Sequence, residues 1–235
     1  MQENINSKPQ DRRRFLSLAA AGGAGLAALA ARPAGAEGAK EVQAAEDLMR
    51  EHGVLRRALL VYRAAAARLR HDPRTVPADA LLKTAQMFRS FGEDYHERKI
   101  EEVFIFPAVR KLKQPAAAYP DVLQQQHDRG RALNDYVMSV TRNGRIAGAA
   151  VAPLARALDA FELMYEHHTA REDTIVFIAW KDSLSDKAYK EMSEKFEDIE
   201  KQTFGHDGFE DAVRQISAAE SRLELSDISQ FTMAA

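Results

Sequence analysis

Apolar residues recur every three to four positions along most of this chain, and no stretch alternates apolar and polar residues over the length of a strand. The pattern predicts a helix over about 41–71, with an apolar seam at Leu48, Leu55, Leu59 and Tyr62. "HDPRTVPAD" follows, with two prolines and an Asp suited to capping, and reads as a loop. A second helix is predicted over about 80–112, with Pro107 late in it to kink it or thin its hydrogen bonding. "KQPAAAYP" breaks the pattern before a third helix over about 120–142, which "RNG" ends. A fourth runs over about 148–181, and two shorter amphipathic helices follow over about 185–203 and 206–223. The expected fold is all-α: an up-down-up-down four-helix bundle over residues 41–182, with two additional C-terminal helices packed outside it over 183–225. The last residues, 226–235, lack a pattern and read as a flexible tail.

The first 36 residues follow a different logic. Three arginines, Arg12 to Arg14, precede a short stretch rich in Ala and Gly that ends in Ala34-Gly35-Ala36, a small-x-small cleavage pattern. This is the layout of an export signal, and Arg12-Arg13-Arg14-Phe15-Leu16 resembles the twin-arginine type. The stretch is short and Gly-interrupted for a membrane span, so the expectation is cleavage, a periplasmic location and no stable membrane span afterwards. The twin-arginine route carries proteins already folded, often with a cofactor in place. Cleavage takes the formal net charge from −2 to −5, and such a chain lacks the basic excess of a nucleic-acid binder. Cysteine is absent, which excludes disulfides, zinc–thiolate sites and cysteine-ligated iron–sulfur clusters. Any metal must be held by nitrogen and oxygen.

The histidines supply such donors. His52, His96, His127 and His168 fall one to each long predicted helix, near its middle. The chain reads as two copies of one pattern, a helix with a lone histidine followed by a helix with a histidine and then a carboxylate. "EHGVLRRAL" echoes "QHDRGRAL", and "IEEVFIF" echoes "REDTIVF". On the fourth helix the seam Leu154, Leu158, Phe161, Tyr165 continues through His168, Glu172 and Ile175. At about 100° per residue, His168 and Glu172 lie about 40° apart on one face, close enough to share one metal. On the second helix the seam is Leu81, Ala85, Phe88, Gly92 and His96, then Glu101, Phe104 and Ala108. The step of five from His96 to Glu101 places them about 140° apart in a regular helix. A single π-type bulge brings Glu101 back to the inner face. Without one, Glu97 or Glu102 takes its place. His71, His167 and His206 read as surface residues. Two carboxylates buried together repel unless a cation lies between them. The candidate metal site is therefore His52, His96, His127, His168 and Glu172, with Glu101 if a bulge turns it inward and otherwise Glu97 or Glu102.

The words "EHGVL", "DYHERKIEEVFIFP", "QQQHDRGR" and "HHTAREDTIVF" together resemble the hemerythrin-like family, or histidine-histidine-glutamate cation-binding domains, over about residues 45–182. The resemblance implies a four-helix bundle around two non-haem iron ions linked by an oxo or hydroxo bridge and by two bridging carboxylates, with one open position for dioxygen. It makes His52, His96, His127 and His168 the terminal ligands and Glu101 and Glu172 the bridges. Manganese or a mixed metal pair fits the same donors. The oxygen-carrying members have a further histidine one turn after the one on the third helix; here Arg131 stands there. Either one iron has an extra open position, or Glu97, Glu51 or His167 fills it. The expected function is binding of dioxygen or a related small ligand, such as nitric oxide or peroxide, for sensing, storage or detoxification. The alternatives are a di-iron oxidase or peroxidase, or a metal-handling module that acts on a protein partner through its C-terminal helices.

Overall fold

The computed structural model describes residues 42–233; the expected export signal lies outside them. The described residues are helical throughout their regular structure, without a strand. Helix α1 spans Ala44–His71 and buries Leu48, Leu55, Leu59 and Tyr62, the expected seam. Glu46 and Asp47 stand in its first turn and Arg68, Arg70 and His71 in its last, complementing the helix dipole. Gln43 makes no side-chain cap. Instead the first free N–H groups, of Ala44 and Ala45, donate to Ser193 Oγ at 3.0 Å and Tyr189 Oη at 2.9 Å, from a helix far along the chain.

Helix α2 begins as a regular α-helix over Ala78–Met87, runs as π-helix over Phe88–Ile105, and returns to α-geometry over Phe106–Val109. A single wide turn was one way for the sequence to bring Glu101 inward, whereas the structure has a wide run of 18 residues. Pro107 marks where it ends. Having no N–H, this proline cannot donate back to the preceding turn, so the hydrogen-bond ladder thins where π-geometry gives way to α. The buried face beyond His96 becomes Ile100, Glu101, Ile105, Phe106 and Val109, while Phe104 and Ala108 are only partly buried.

Helix α3 spans Pro120–Thr141. Helix α4 spans Gly148–Arg171, widens to π-geometry over Glu172–Val176 and ends as Phe177–Asp182. This second wide turn corrects the expected seam: Val176 is buried in place of Ile175, because a wider turn slips the face by a residue. Helix α5 (Asp186–Phe204) starts at a Ser185 cap and ends at Gly205, whose φ of 71° suits only glycine comfortably. Helix α6 (Gly208–Arg222) is capped by Asp207. Beyond it, Ile228–Phe231 forms a short 3-10 turn capped by Asp227 within the segment read as a tail.

Helix α1 packs along α4, α4 along α3, and α3 along α2. Across the α1–α4 seam, Arg56 pairs with Asp173, Arg63 with Glu162 and Glu166, and Arg70 with Asp159. The seven-residue spacing of these arginines sets one register along the seam. Being partly solvated, the pairs hold alignment more than they add stability. Inside, Tyr62, Phe88, Phe161 and Tyr165 form one aromatic layer of edge-on and stacked rings. Helix α6 is tied to α1 by Arg57, which grips Glu220 with two nitrogens. Helix α5 is tied to α4 by Trp180, whose ring stacks on Phe196 at 5.6 Å and 10°.

Trp180 is 2% exposed, so truncation there opens a large void between α4 and α5. Trp180→Ala is expected to cost ~3–5 kcal/mol of unfolding free energy. Urea denaturation followed by helical circular dichroism measures it, and a loss below ~1 kcal/mol would show that α5 does not depend on this stack.

Candidate metal centre

The four histidines of the sequence pattern meet in the interior. His52 comes from α1, His96 from the π-helical part of α2, His127 from α3 and His168 from the end of the regular part of α4. All are at most 2% exposed. Glu101 and Glu172 join them, each with no exposure at all. Both glutamates stand in π-helical turns, which bring a residue five after one histidine and four after the other to the same face.

Every histidine turns its Nδ1 outward and its Nε2 inward. His52 Nδ1 lies 2.6 Å from Asp173 Oδ1, and His96 Nδ1 lies 2.6 Å from Glu51 Oε2. His127 Nδ1 lies 2.9 Å from Glu102 Oε1, and His168 Nδ1 lies 3.0 Å from Gln126 Oε1. An Nδ1–H donated outward fixes the ring and leaves the Nε2 lone pair free for a cation. The inward nitrogens pair off, His52 with His96 at 3.0 Å and His127 with His168 at 3.1 Å. Two donors about 2.1 Å from one ion and at right angles to each other stand about 3.0 Å apart, so both pairs suit adjacent positions on one cation.

The glutamates lie between the pairs. Glu101 presents Oε1 to His96 Nε2 at 3.2 Å and Oε2 to His127 Nε2 at 3.3 Å. Glu172 Oε2 lies 3.4 Å from His52 Nε2 and 3.0 Å from His168 Nε2. Each carboxylate thus reaches both histidine pairs. All four of their oxygens are buried without a hydrogen-bond partner. Such groups are expensive to bury unless an ion satisfies them. Glu101, His127, His168 and Glu172 offer donor atoms close enough to surround one cation, and His52, His96 and Glu101 another. Hard oxygen and borderline nitrogen donors, with no sulfur, suit iron or manganese.

The protonation pattern describes the same frustration. Burial opposes charge on Glu101, yet His96 and His127 hold it well below the usual carboxylate range. Burial and the charge of Glu101 drive Glu172 well above that range. Burial works against protonation of His127, but Glu97, Glu101 and Glu102 hold it at about 10. Burial, followed by the charge of His127, pushes His168 down to about 3. Protons placed this way stand in for positive charge that cations would bring, and cation binding would release them.

The residues weighed as extra ligands are engaged elsewhere. Glu51 and Glu102 serve the outer nitrogens of His96 and His127. Glu97 accepts from Tyr165 Oη at 2.7 Å and from Arg131 at 3.0 Å. Arg131 also binds Glu102 and Asp128, so it is a buried cation shared by three acids. His167 is exposed and meets Arg171; His71 and His206 are exposed too. Asp173 and Gln126 went unnoticed in the sequence. A signal was there: each is the immediate neighbour of a candidate ligand, as Glu51 and Glu102 are.

An all-helical protein with a buried histidine–glutamate cluster suited to cations is the class that fold and site define. The chain belongs to the hemerythrin HHE cation-binding domain family, whose model matches residues 43–180. Two relatives, uncharacterised proteins of Mycobacterium tuberculosis and Mycobacterium bovis, are each 44% identical over 197 residues, covering 81% of this chain and 74% of theirs. No solved structure matches the chain.

The outer partners generate one expectation. Asp173→Asn or Glu51→Gln should weaken metal binding about 10–100-fold while leaving the helical content intact, as competition titration against a chelator would measure. Unchanged affinity in both would remove their orienting role. Glu102 generates another, in metal-free protein. Despite the burial that opposes it, hydrogen bonds from His127 and Arg131 hold its carboxyl at about 2, against an ordinary 4.5. A lowered folded-state value adds stability above the unfolded-state value and loses it as pH falls through the folded one. The stability gap between wild type and Glu102→Gln should therefore be full near neutrality and close between about pH 4.5 and about pH 2. A gap that stays constant across that window in denaturant titrations would remove this linkage.

Proposed function

We propose that this is a non-haem di-iron protein that binds dioxygen or a related small ligand, nitric oxide or peroxide, for sensing, storage or detoxification. The observation that carries this reading is the set of four buried glutamate oxygens without hydrogen bonds, facing four convergent imidazole nitrogens. His52, His96, His127 and His168 would be terminal ligands, and Glu101 and Glu172, which each reach both histidine pairs, would be shared between two ions. When bound, the iron pair supplies reversible electron transfer to a small ligand. The chain does the rest. Asp173, Glu51, Glu102 and Gln126 hold the imidazoles in one tautomer and orientation. Phe177 lies against the rings of His52 and His96, and Phe106 stacks on His127, so apolar faces exclude bulk water. The N-terminal segment supports an exported, periplasmic protein, and residues 41–182 form the metal-binding unit of this reading.

One observation favours the runner-up, a di-iron oxidase or peroxidase. Arg131 occupies the place of a further histidine and is bound to Glu97 and Glu102, which leaves one ion with a ligand fewer from the chain. An additional open position favours turnover over simple carriage.

Iron per chain and the visible spectrum, recorded anaerobically and then in air, test both. About two irons and an absorption that appears in air and reverses on removing oxygen would support ligand binding. Two irons that oxidise irreversibly and consume peroxide with a reductant would favour the enzyme. Folded protein that takes up no metal on reconstitution would sink the di-iron assignment.

A further inference from the structure

Next to the candidate metal donors lies a polar group that their coordination does not use. Tyr165 is 2% exposed, and its ring lies 5.4 Å from that of His168. Its hydroxyl donates to Glu97 Oε1 at 2.7 Å. The close approach has been made room for on α3. A Cβ on Gly130 would stand 2.2 Å from Tyr165 Oη, so only glycine lets the phenol pass. Glycine is unfavourable inside a helix, and Gly130 is buried in mid-helix. The second oxygen of Glu97 accepts from Arg131, which also binds Glu102.

We infer that Tyr165 is a redox-active side chain, which gives one electron to the metal centre once peroxide has oxidised it, while its phenolic proton passes to Glu97. The inference rests on the di-iron reading. In the step the O–H bond of Tyr165 breaks and an O–H bond forms on Glu97 Oε1. One electron leaves the ring for the centre, and a neutral phenoxyl radical remains. Peroxide is the oxidant: it takes two electrons from the centre and, with two protons from solvent, becomes two waters; Tyr165 returns one of those electrons, and the centre stays one electron short of its starting state.

Three features favour this geometry. Oxidising a buried phenol without proton loss would leave a positive charge in an apolar layer, which is costly. A carboxylate within hydrogen-bond reach removes that cost in the same step. Protonating Glu97 also leaves Arg131 paired, because Glu102 and Asp128 still accept from it. The other two buried phenols near the site are less well placed. Tyr62 donates to the Asn134 amide, which is no base. Tyr95 reaches Glu51 only at 3.3 Å, and that carboxylate is held at 2.6 Å by His96.

The test is freeze-quench electron paramagnetic resonance of the full iron-loaded protein mixed with hydrogen peroxide, with iron content measured on each sample. Expected is an organic radical signal that narrows with ring-deuterated tyrosine, vanishes in Tyr165→Phe at unchanged iron content and persists in Tyr95→Phe. Glu97→Gln, which keeps Tyr165 and removes the base, should lower the radical yield about tenfold or more. That variant decides the matter if Tyr165→Phe fails to fold. A signal that survives in Tyr165→Phe, or is undiminished in Glu97→Gln, overturns the inference. So does iron-loaded wild type that consumes peroxide without forming a tyrosine radical, an outcome that leaves the di-iron reading standing. Wild type that binds no iron removes both.

Discussion

Four hydrogen bonds that cross from helix to helix hold the centre of this protein in shape. Glu51 on α1 orients His96 on α2, and Glu102 on α2 orients His127 on α3. Gln126 on α3 orients His168 on α4, and Asp173 on α4 orients His52 on α1. The ring closes on itself. Each helix supplies one histidine and one acceptor for a neighbour's histidine. A shift of any helix along its axis would therefore misplace both its own imidazole and another's. The cluster's electrostatics make such a constraint necessary. Six polar side chains buried together have many arrangements of similar energy unless each has a fixed partner. The ring fixes the imidazoles and leaves the inward nitrogens and the carboxylates of Glu101 and Glu172 for an ion.

The backbone is shaped to the same end. A regular α-helix brings residues three and four apart to one face, and His96 and Glu101 are five apart. The π-helical run in α2 resolves that mismatch, and a shorter one begins at Glu172 in α4. Wide turns make poorer hydrogen bonds and leave gaps along the axis, and the surroundings must hold them open. Here the aromatic layer of Phe88, Phe161 and Tyr165 packs at the start of the run, and Pro107 ends it. The sheath of α5 and α6 adds further support. Lys99 within the π run reaches Thr203, and Phe104 packs on Phe196.

Arg131 connects the binding and redox readings. It brings a permanent positive charge to the edge of the cluster. Two of its acids, Glu97 and Glu102, then do different work: one accepts from Tyr165 and the other fixes His127. A substitution of Arg131 would change the acid–base surroundings of the nearest phenol and of His127 together.

The helices, the one-per-helix placing of the histidines and the mismatch that a wide turn between His96 and Glu101 would resolve are legible in the sequence. These are local matters, because periodicity, capping residues and breakers act within a few turns. The sequence also put Glu172 on the inner face with His168, and Glu101 there only on condition of a wide turn, with Glu97 and Glu102 as alternatives. It did not distinguish ligands from orienting residues. Glu51 and Glu102 read equally well as either, and Gln126 and Asp173 read as ordinary polar neighbours, because what each does depends on a histidine on another helix. Nor did it separate one wide turn from an 18-residue run, since the extent of a π-helix is set by what packs against it. That Glu97 faces Tyr165 past the bare Cα of Gly130 was likewise decided only by tertiary structure, where three helices meet.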